Sequence, residues 1–267
     1  MTMLYTLRRW LNRTIPRLGI VAIGIALIVG IFQTQSSTLA TPSNNDRAIN
    51  PGLEQQVLNI IRRNPSIIRE ALQVEEQQKQ QKQEAVKQQF QQEIQKNPAN
   101  VIGHSPTKGA PNQKRLLIEF ADFQCPYCAE AHKILKQFME QHQGQVTLVY
   151  KHYPLTSIHP EAIAAAKAAW AAQQQGKFWQ YHDLLFERQS ELGEKLYLEL
   201  AQQLGLDLTQ FNQHRNSPEF AKVLDQDQQM ADTLGIQGTP FFFINGETLS
   251  GAVPLPNLEQ LVLAKAP

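Results

Sequence analysis

The chain has 267 residues, 42% of them hydrophobic, and 25 basic residues nearly balance 24 acidic ones. This length suits one sizeable domain with an appendage. The near-neutral charge excludes proteins that bind nucleic acids through a strong basic excess, so we expect no nucleic-acid partner.

The first 40 residues have the pattern of an export segment. An arginine-rich start without acidic residues precedes an apolar run at residues 18–32, and a small, polar stretch ends at Ala40. This order is typical of a signal peptide. The run is shorter than the roughly 20 residues of a comfortable membrane span, yet it is apolar enough for an uncleaved anchor. Both alternatives predict export to the periplasmic or lumenal side of a bacterial-type membrane, with or without an amino-terminal anchor.

Residues 41–113 are predicted to form a linker, a helical extension and a connector. Apolar residues at helical spacing predict a helix at residues 51–63. Pro65 ends it, because proline disfavours helix for the residue before it. A second helix follows, and nearly half of residues 73–95 are glutamine.

A thin apolar stripe lies on this second helix, at Val86, Phe90 and Ile94. One interpretation is a homo-oligomer held by a coiled-coil-like seam within residues 51–98. The alternative is a long, solvent-exposed linker helix.

The chain's two cysteines lie at a predicted strand-to-helix junction. The strand is Leu116–Phe120, the motif is Cys125-Pro126-Tyr127-Cys128, and a helical pattern follows. The start of a helix stabilises the thiolate of the first cysteine. The second cysteine lies one turn later, where it can attack a mixed disulfide formed on the first.

Two other readings of the motif are weaker. A zinc site usually needs four ligands, and a purely structural disulfide would close a very short loop that stabilises little. We therefore expect Cys125–Cys128 to be a redox-active disulfide, with no other cofactor and no bound metal. The two middle residues, Pro126 and Tyr127, tune its potential.

The remaining pattern predicts a second strand at residues 145–153, a helical stretch at about residues 159–234, and a hairpin of strands 241–244 and 247–252 before a closing helix. Asn245-Gly246 is the signal of a type I′ turn in that hairpin. This order of elements predicts an α/β protein with a thioredoxin-like fold, an inserted helical subdomain and an amino-terminal helical extension.

Four further residues or pairs are candidates for the site. Pro240 begins an apolar strand, which is unusual unless its peptide bond is cis and its loop faces the cysteines. Thr239 would then present its backbone to a docked substrate. Glu119 interrupts a buried strand, where desolvation raises its pKa and suits it to shuttle a proton to or from a thiol. Lys151 and His152 either add positive charge near the thiolate or lie at the surface.

Residues 119–128, 159–162, 176–179 and 234–240 resemble the DsbA family of exported thiol–disulfide oxidoreductases. The resemblance implies that Cys125 is the exposed nucleophile, Cys128 the resolving thiol and Pro240 the cis-proline, and it supports an acid at Glu119. The amino-terminal helices are similar to those of the suppressor-of-copper-sensitivity C and Com1-like proteins, some of which oligomerise and act as isomerases.

The sequence thus predicts an export segment at residues 1–40, an extension at 41–113 and a DsbA-like thioredoxin domain at 114–267. We expect an enzyme that forms or rearranges disulfides in exported, cysteine-containing proteins and is served by a membrane redox partner. The alternatives are an oligomeric isomerase, a chaperone-like binding module, or a protein that binds copper or zinc through its cysteines between subunits.

Overall fold

The structure, a computed structural model, describes residues 50–112, 115–142 and 144–263. The export segment predicted at residues 1–40 lies outside these ranges. The chain divides into two compact units, residues 1–58 and residues 59–267. The helices and strands are, in chain order, α1 (Pro51–Arg63), α2 (Pro65–Lys96), α3 (Pro98–Ile102), β1 (Thr107–Gly109), β2 (Leu116–Ala121), α4 (Pro126–Gln141), β3 (Thr147–His152), α5 (Ala162–Gln174), α6 (Phe178–Glu187), α7 (Glu194–Gln203), α8 (Leu208–Arg215), α9 (Glu219–Thr233), β4 (Phe241–Ile244), β5 (Glu247–Ser250) and α10 (Leu255–Leu263).

The described strands form one mixed, five-stranded sheet in the order β1-β3-β2-β4-β5. The central pair, β2 and β3, is parallel, and β4 runs antiparallel to β2. Every residue of β2 is buried, because helices cover both faces of the sheet. This confirms the predicted thioredoxin-like α/β fold.

The hairpin at the other side of the sheet has the predicted turn. Asn245 and Gly246 have φ values of 52° and 87°, and a type I′ turn requires positive φ at both positions. The connector predicted at the end of residues 41–113 is not irregular throughout, because its described part contains α3 and β1. β1 is three exposed residues long, so no sequence periodicity reveals it, and only its antiparallel pairing with β3 defines it.

The predicted helical insert corresponds to α5–α9. Alanines fill the buried face of α5, and they share one core cluster with residues of α6, α7 and α8. Small side chains allow this close packing of helices. The same cluster contains Cys125 and Cys128, so the insert packs directly behind the motif.

The amino-terminal extension is helical, as predicted, but its apolar stripe has a different role. Ile94 is buried, and Val86 and Phe90 pack against the sheet. The rings of Phe90 and Phe243 pack in a T-shaped arrangement, with their centroids 4.8 Å apart and their planes inclined by 82°. The coiled-coil seam predicted along this stripe is therefore wrong, because the thioredoxin domain itself covers these residues. Among the described helices, none is both long enough and apolar enough to cross a membrane.

Candidate active site

Cys125 precedes the first turn of α4, and the local sequence explains this position. Its backbone is extended, with φ −72° and ψ 121°, and Pro126 occupies the first helical position, where its missing N–H costs nothing. The Cys128 N–H donates to the Cys125 carbonyl at 3.0 Å and closes the first turn. Cys125 is 4% exposed and Cys128 is fully buried. The expectation of an exposed nucleophile is therefore wrong, although Cys125 is the more accessible of the two.

Both cysteines are free thiols, and their pKa values are shifted in opposite directions. The Cys128 thiol donates a hydrogen bond to Cys125 and is the largest cause that lowers the pKa of Cys125 to about 5. The backbone N–H groups of Cys128 and Tyr127 act in the same direction. Burial raises the pKa of Cys128 well above its ordinary value. At neutral pH, Cys125 is a thiolate and Cys128 holds its proton.

The loop before β4 faces these cysteines. The Thr239–Pro240 peptide bond is cis, as predicted, and Pro240 is buried. In the thiol form, Cys125 Sγ donates to the Thr239 carbonyl at 3.3 Å. The structure thus brings together residues that lie 114 positions apart. Within the motif itself, the Tyr127 side chain is 62% exposed.

Glu119 lies in the centre of the sheet, between Tyr150 and Phe242 in the neighbouring strands. It is 1% exposed, and neither carboxylate oxygen has a hydrogen-bond partner. Desolvation raises its pKa to about 8, so the buried carboxyl is mostly protonated at neutral pH.

Asp122, which was not predicted as a site residue, organises the loop that carries Cys125. Its carboxylate accepts hydrogen bonds from the Gln124 N–H at 2.8 Å, the Leu155 N–H at 2.8 Å and the His159 ring at 2.7 Å. The hydrogen bond from the Gln124 N–H, two positions after Asp122, forms an Asx turn. An Asp directly after a strand is the sequence signal for such a turn. His159 therefore ties a distant loop to this turn.

Gln189 is a second missed residue. Its side-chain amide donates to the carbonyls of Phe123 at 2.8 Å and Cys125 at 2.9 Å. It lies in a short turn after α6, and no local pattern marks it, because its partners are more than 60 positions away.

Lys151 and His152 are not at the surface, contrary to one of the two expectations for them. They are 3% and 1% exposed. Lys151 Nζ forms an ion pair with Asp227 at 3.1 Å, which neutralises its charge locally. Burial lowers the pKa of His152 to about 3, so its ring is neutral. Neither side chain is among the groups that lower the pKa of the Cys125 thiol.

The chain is similar in sequence and in fold to known thioredoxin-like proteins. A family model described as thioredoxin matches residues 100–263. The Na(+)/H(+) antiporter NhaA 3 of Salinispora tropica is 39% identical over 148 residues, which are 55% of this chain and 22% of that protein. The chain thus spans about a fifth of the length of the curated relatives it matches.

Two solved structures extend the comparison. A thioredoxin-like oxidoreductase from Silicibacter pomeroyi DSS-3 is 30% identical, with a TM-score of 0.58 over 62% of this chain and 95% of its own. Proteus mirabilis ScsC in a transitional conformation is 26% identical, with a TM-score of 0.56 over 81% of this chain and 96% of its own.

Proposed function

This chain belongs to the thioredoxin family, and from that premise we propose that it is an exported thiol–disulfide oxidoreductase of the DsbA type. Its substrates are exported proteins with cysteines, and its redox group is the Cys125–Cys128 pair. The observation that carries the proposal is the opposite pKa shift of the two thiols beside the cis-Pro240 loop.

The oxidative reaction begins with the Cys125–Cys128 disulfide. A substrate thiolate attacks the Cys125 sulfur, a mixed disulfide forms, and Cys128 leaves. Cys128 takes up a proton, since its pKa is well above neutrality. A second substrate thiolate then attacks the substrate sulfur of the mixed disulfide and releases Cys125 as a thiolate. The substrate has lost two electrons and gained a disulfide, and the enzyme is left as the dithiol.

The low pKa of Cys125 favours this direction. A thiol with a pKa of about 5 is a good leaving group, and its thiolate stabilises the reduced enzyme at pH 7. A pair whose reduced form is stabilised is a strong oxidant. This supports an oxidase over a reductase.

Glu119 is proposed as the proton shuttle for Cys128. At neutral pH its buried carboxyl is mostly protonated, so it can supply the proton when Cys128 leaves. In the reverse direction its carboxylate accepts that proton. Such a group must reach the thiol, directly or through one water, and have a pKa near the working pH; burial gives Glu119 a pKa in that range.

The backbone of Thr239 is proposed to bind the substrate. Its carbonyl already lies 3.3 Å from Cys125 Sγ, so a substrate strand paired with this loop would place its sulfur at Cys125. Pro126 and Tyr127 tune the potential from within the motif. A membrane redox partner, which we also propose, would restore the disulfide.

The test is the reduction potential of Cys125–Cys128 in equilibrium with glutathione. We expect a value near about −120 mV, typical of strong oxidants. A value near about −270 mV would identify a reductant and would contradict the oxidase assignment. The variant Cys125→Ser must lose the exchange activity. If it keeps full cellular function and refolds a cysteine-free client, the chaperone-like alternative is correct.

A second function, an oligomeric isomerase, is favoured by one observation. Apolar side chains at the end of α1 and the start of α2 are 37–60% exposed: Ile60, Ile61, Ile67, Ile68, Leu72 and Val74. A second copy of the chain would bury these residues, and clustered sites suit the rearrangement of wrong disulfides. The measurement is the mass in solution of the chain and of Ile67→Lys/Leu72→Lys. A monomeric parent chain would remove this alternative.

A further inference from the structure

A small cavity lies beside Glu119, under the sheet face that α4 and α6 cover. Its volume is about 20 Å³, which is enough for one water-sized particle. His132 of α4 lines it, together with Trp179, His182 and Asp183 of α6. The exchange reaction proposed above does not use the two histidines or the aspartate.

Three potential ligand atoms converge at this cavity. One atom each of His132, His182 and Asp183 lies within 4.8 Å of the others. Asp183 Oδ1 is 2.9 Å from His182 Nδ1 and 3.9 Å from His132 Nδ1. Ligands at about 2.05 Å from a tetrahedral zinc ion are separated by about 3.3 Å. The two separations that involve Asp183 lie on either side of that value, and all three ligand atoms lie within 4.8 Å of one another, so closing the site requires side-chain movements of up to about 1.5 Å.

The spacing of the two imidazole rings is compatible with the same geometry. Their ring centroids are 5.2 Å apart, and the planes are inclined by 73°. Two imidazoles on one tetrahedral zinc ion place their centroids about 5 Å apart. His132 follows Cys128 by four residues, so it lies on the same face of α4, one turn further from the motif.

The surroundings contain unpaired polar groups that point to a ligand. Both oxygens of Glu119 are buried and have no hydrogen-bond partner, and the His182 Nε2 atom is in the same condition. Buried polar atoms normally have partners, in protein or in a bound species. Asp183 has a side chain that is 24% exposed and provides an entry route from solvent.

We propose that His132, His182 and Asp183 bind one divalent zinc-type ion, with the unpartnered oxygens of the Glu119 carboxyl in the cavity wall beside it. Two imidazoles and a carboxylate are a donor set that zinc prefers. The ion would link α4 to α6 beneath the dithiol. This differs from the expectation that the chain binds no metal, and it does not depend on the redox assignment.

The positive charges of two nearby lysines oppose the binding of a cation here. Lys108 and Lys136 line the cavity. The Lys136 charge is compensated by Glu187 at 3.3 Å, and the Lys108 ammonium lies 5.7 Å from the centre of the Trp179 ring. Removal of the Lys136 charge should therefore leave zinc affinity unchanged or increase it, which makes Lys136→Gln a matched control.

The experiment is equilibrium dialysis of the full chain against Zn²⁺ after treatment with a chelator. The protein is kept oxidised, so that the Cys125–Cys128 disulfide cannot bind metal. We expect one zinc per chain and, with Co²⁺, the visible absorption of a tetrahedral site. Asp183→Asn preserves the shape of the side chain at a position that is partly exposed. It should weaken zinc affinity by more than the roughly 10–100-fold that is typical when a residue behind a metal ligand is replaced. His132→Gln should do the same.

Several outcomes would overturn the proposal. They are no zinc on the oxidised chain, binding that Asp183→Asn and His132→Gln leave unchanged, or an equal loss in Lys136→Gln. Binding that requires reduction and disappears in Cys125→Ser would place the metal on the cysteines instead. Urea unfolding in chelator must show that each variant is folded. An exchange assay of the same samples reports separately on the proposed function.

Discussion

The hydrogen bond from Cys128 to Cys125 controls the acidity of the nucleophile, and one substitution tests this. A hydrogen bond to a charged group contributes about 1.5–3 kcal/mol, and one pKa unit corresponds to about 1.4 kcal/mol. Cys128→Ala removes the donor that contributes most to the pKa of about 5. The pKa of Cys125 should therefore rise by about one to two units.

Cys128→Ser is the matched control. Its hydroxyl keeps a donor at the same position, so the pKa of Cys125 should rise less than in Cys128→Ala. Each variant contains a single cysteine, since the chain has two. The ultraviolet absorbance of the thiolate and the rate of alkylation by iodoacetamide, both followed against pH, then report Cys125 alone.

Two results would refute this reasoning. If Cys128→Ala keeps the pKa of Cys125 at about 5, the backbone N–H groups at the start of α4 stabilise the thiolate without Cys128. If the pKa of Cys125 rises equally in Cys128→Ser and Cys128→Ala, the hydrogen bond donated by residue 128 is not the cause of the low pKa. The reduction potential should follow the pKa, because a less stable thiolate makes the enzyme a weaker oxidant.

Three further predictions concern stability in urea, with a chelator present. Glu119 has a folded-state pKa of about 8 against an ordinary value of 4.5, so the folded state loses stability as the pH rises from about 4.5 to 8. Glu119→Gln should remove that loss, which makes the variant more stable by about 3 kcal/mol at pH 7 but not at pH 4; parallel pH profiles would contradict this. Phe90→Ala should cost about 2 kcal/mol because Phe90 packs on β4, whereas Leu72→Ala, at a 60% exposed position, should cost under about 0.5 kcal/mol; equal costs would mean that α2 does not dock. Asp227→Asn should cost about 3–5 kcal/mol because it leaves Lys151 charged and unpaired in the interior; a cost under about 1 kcal/mol would show that Lys151 reaches water.

The sequence by itself determined the features that depend on neighbouring residues. The cysteine pair at the start of α4, the start of α2 at Pro65 and the turn at Asn245-Gly246 each follow from backbone preferences of a few adjacent residues. The apolar runs predicted the central strands, because a strand buried on both faces has no polar alternation. Such signals are local, and their order was sufficient for the fold.

The tertiary structure alone decided what depends on residues far apart in the chain. The apolar stripe on α2 is compatible with any apolar partner, and only the packed domain shows that Phe243 is that partner. The burial of Lys151 is possible because Asp227 lies opposite, 76 positions away. The pKa of Cys125 and the pKa of Glu119 depend on donors and on desolvation, which exist only once the sheet and its helices have assembled.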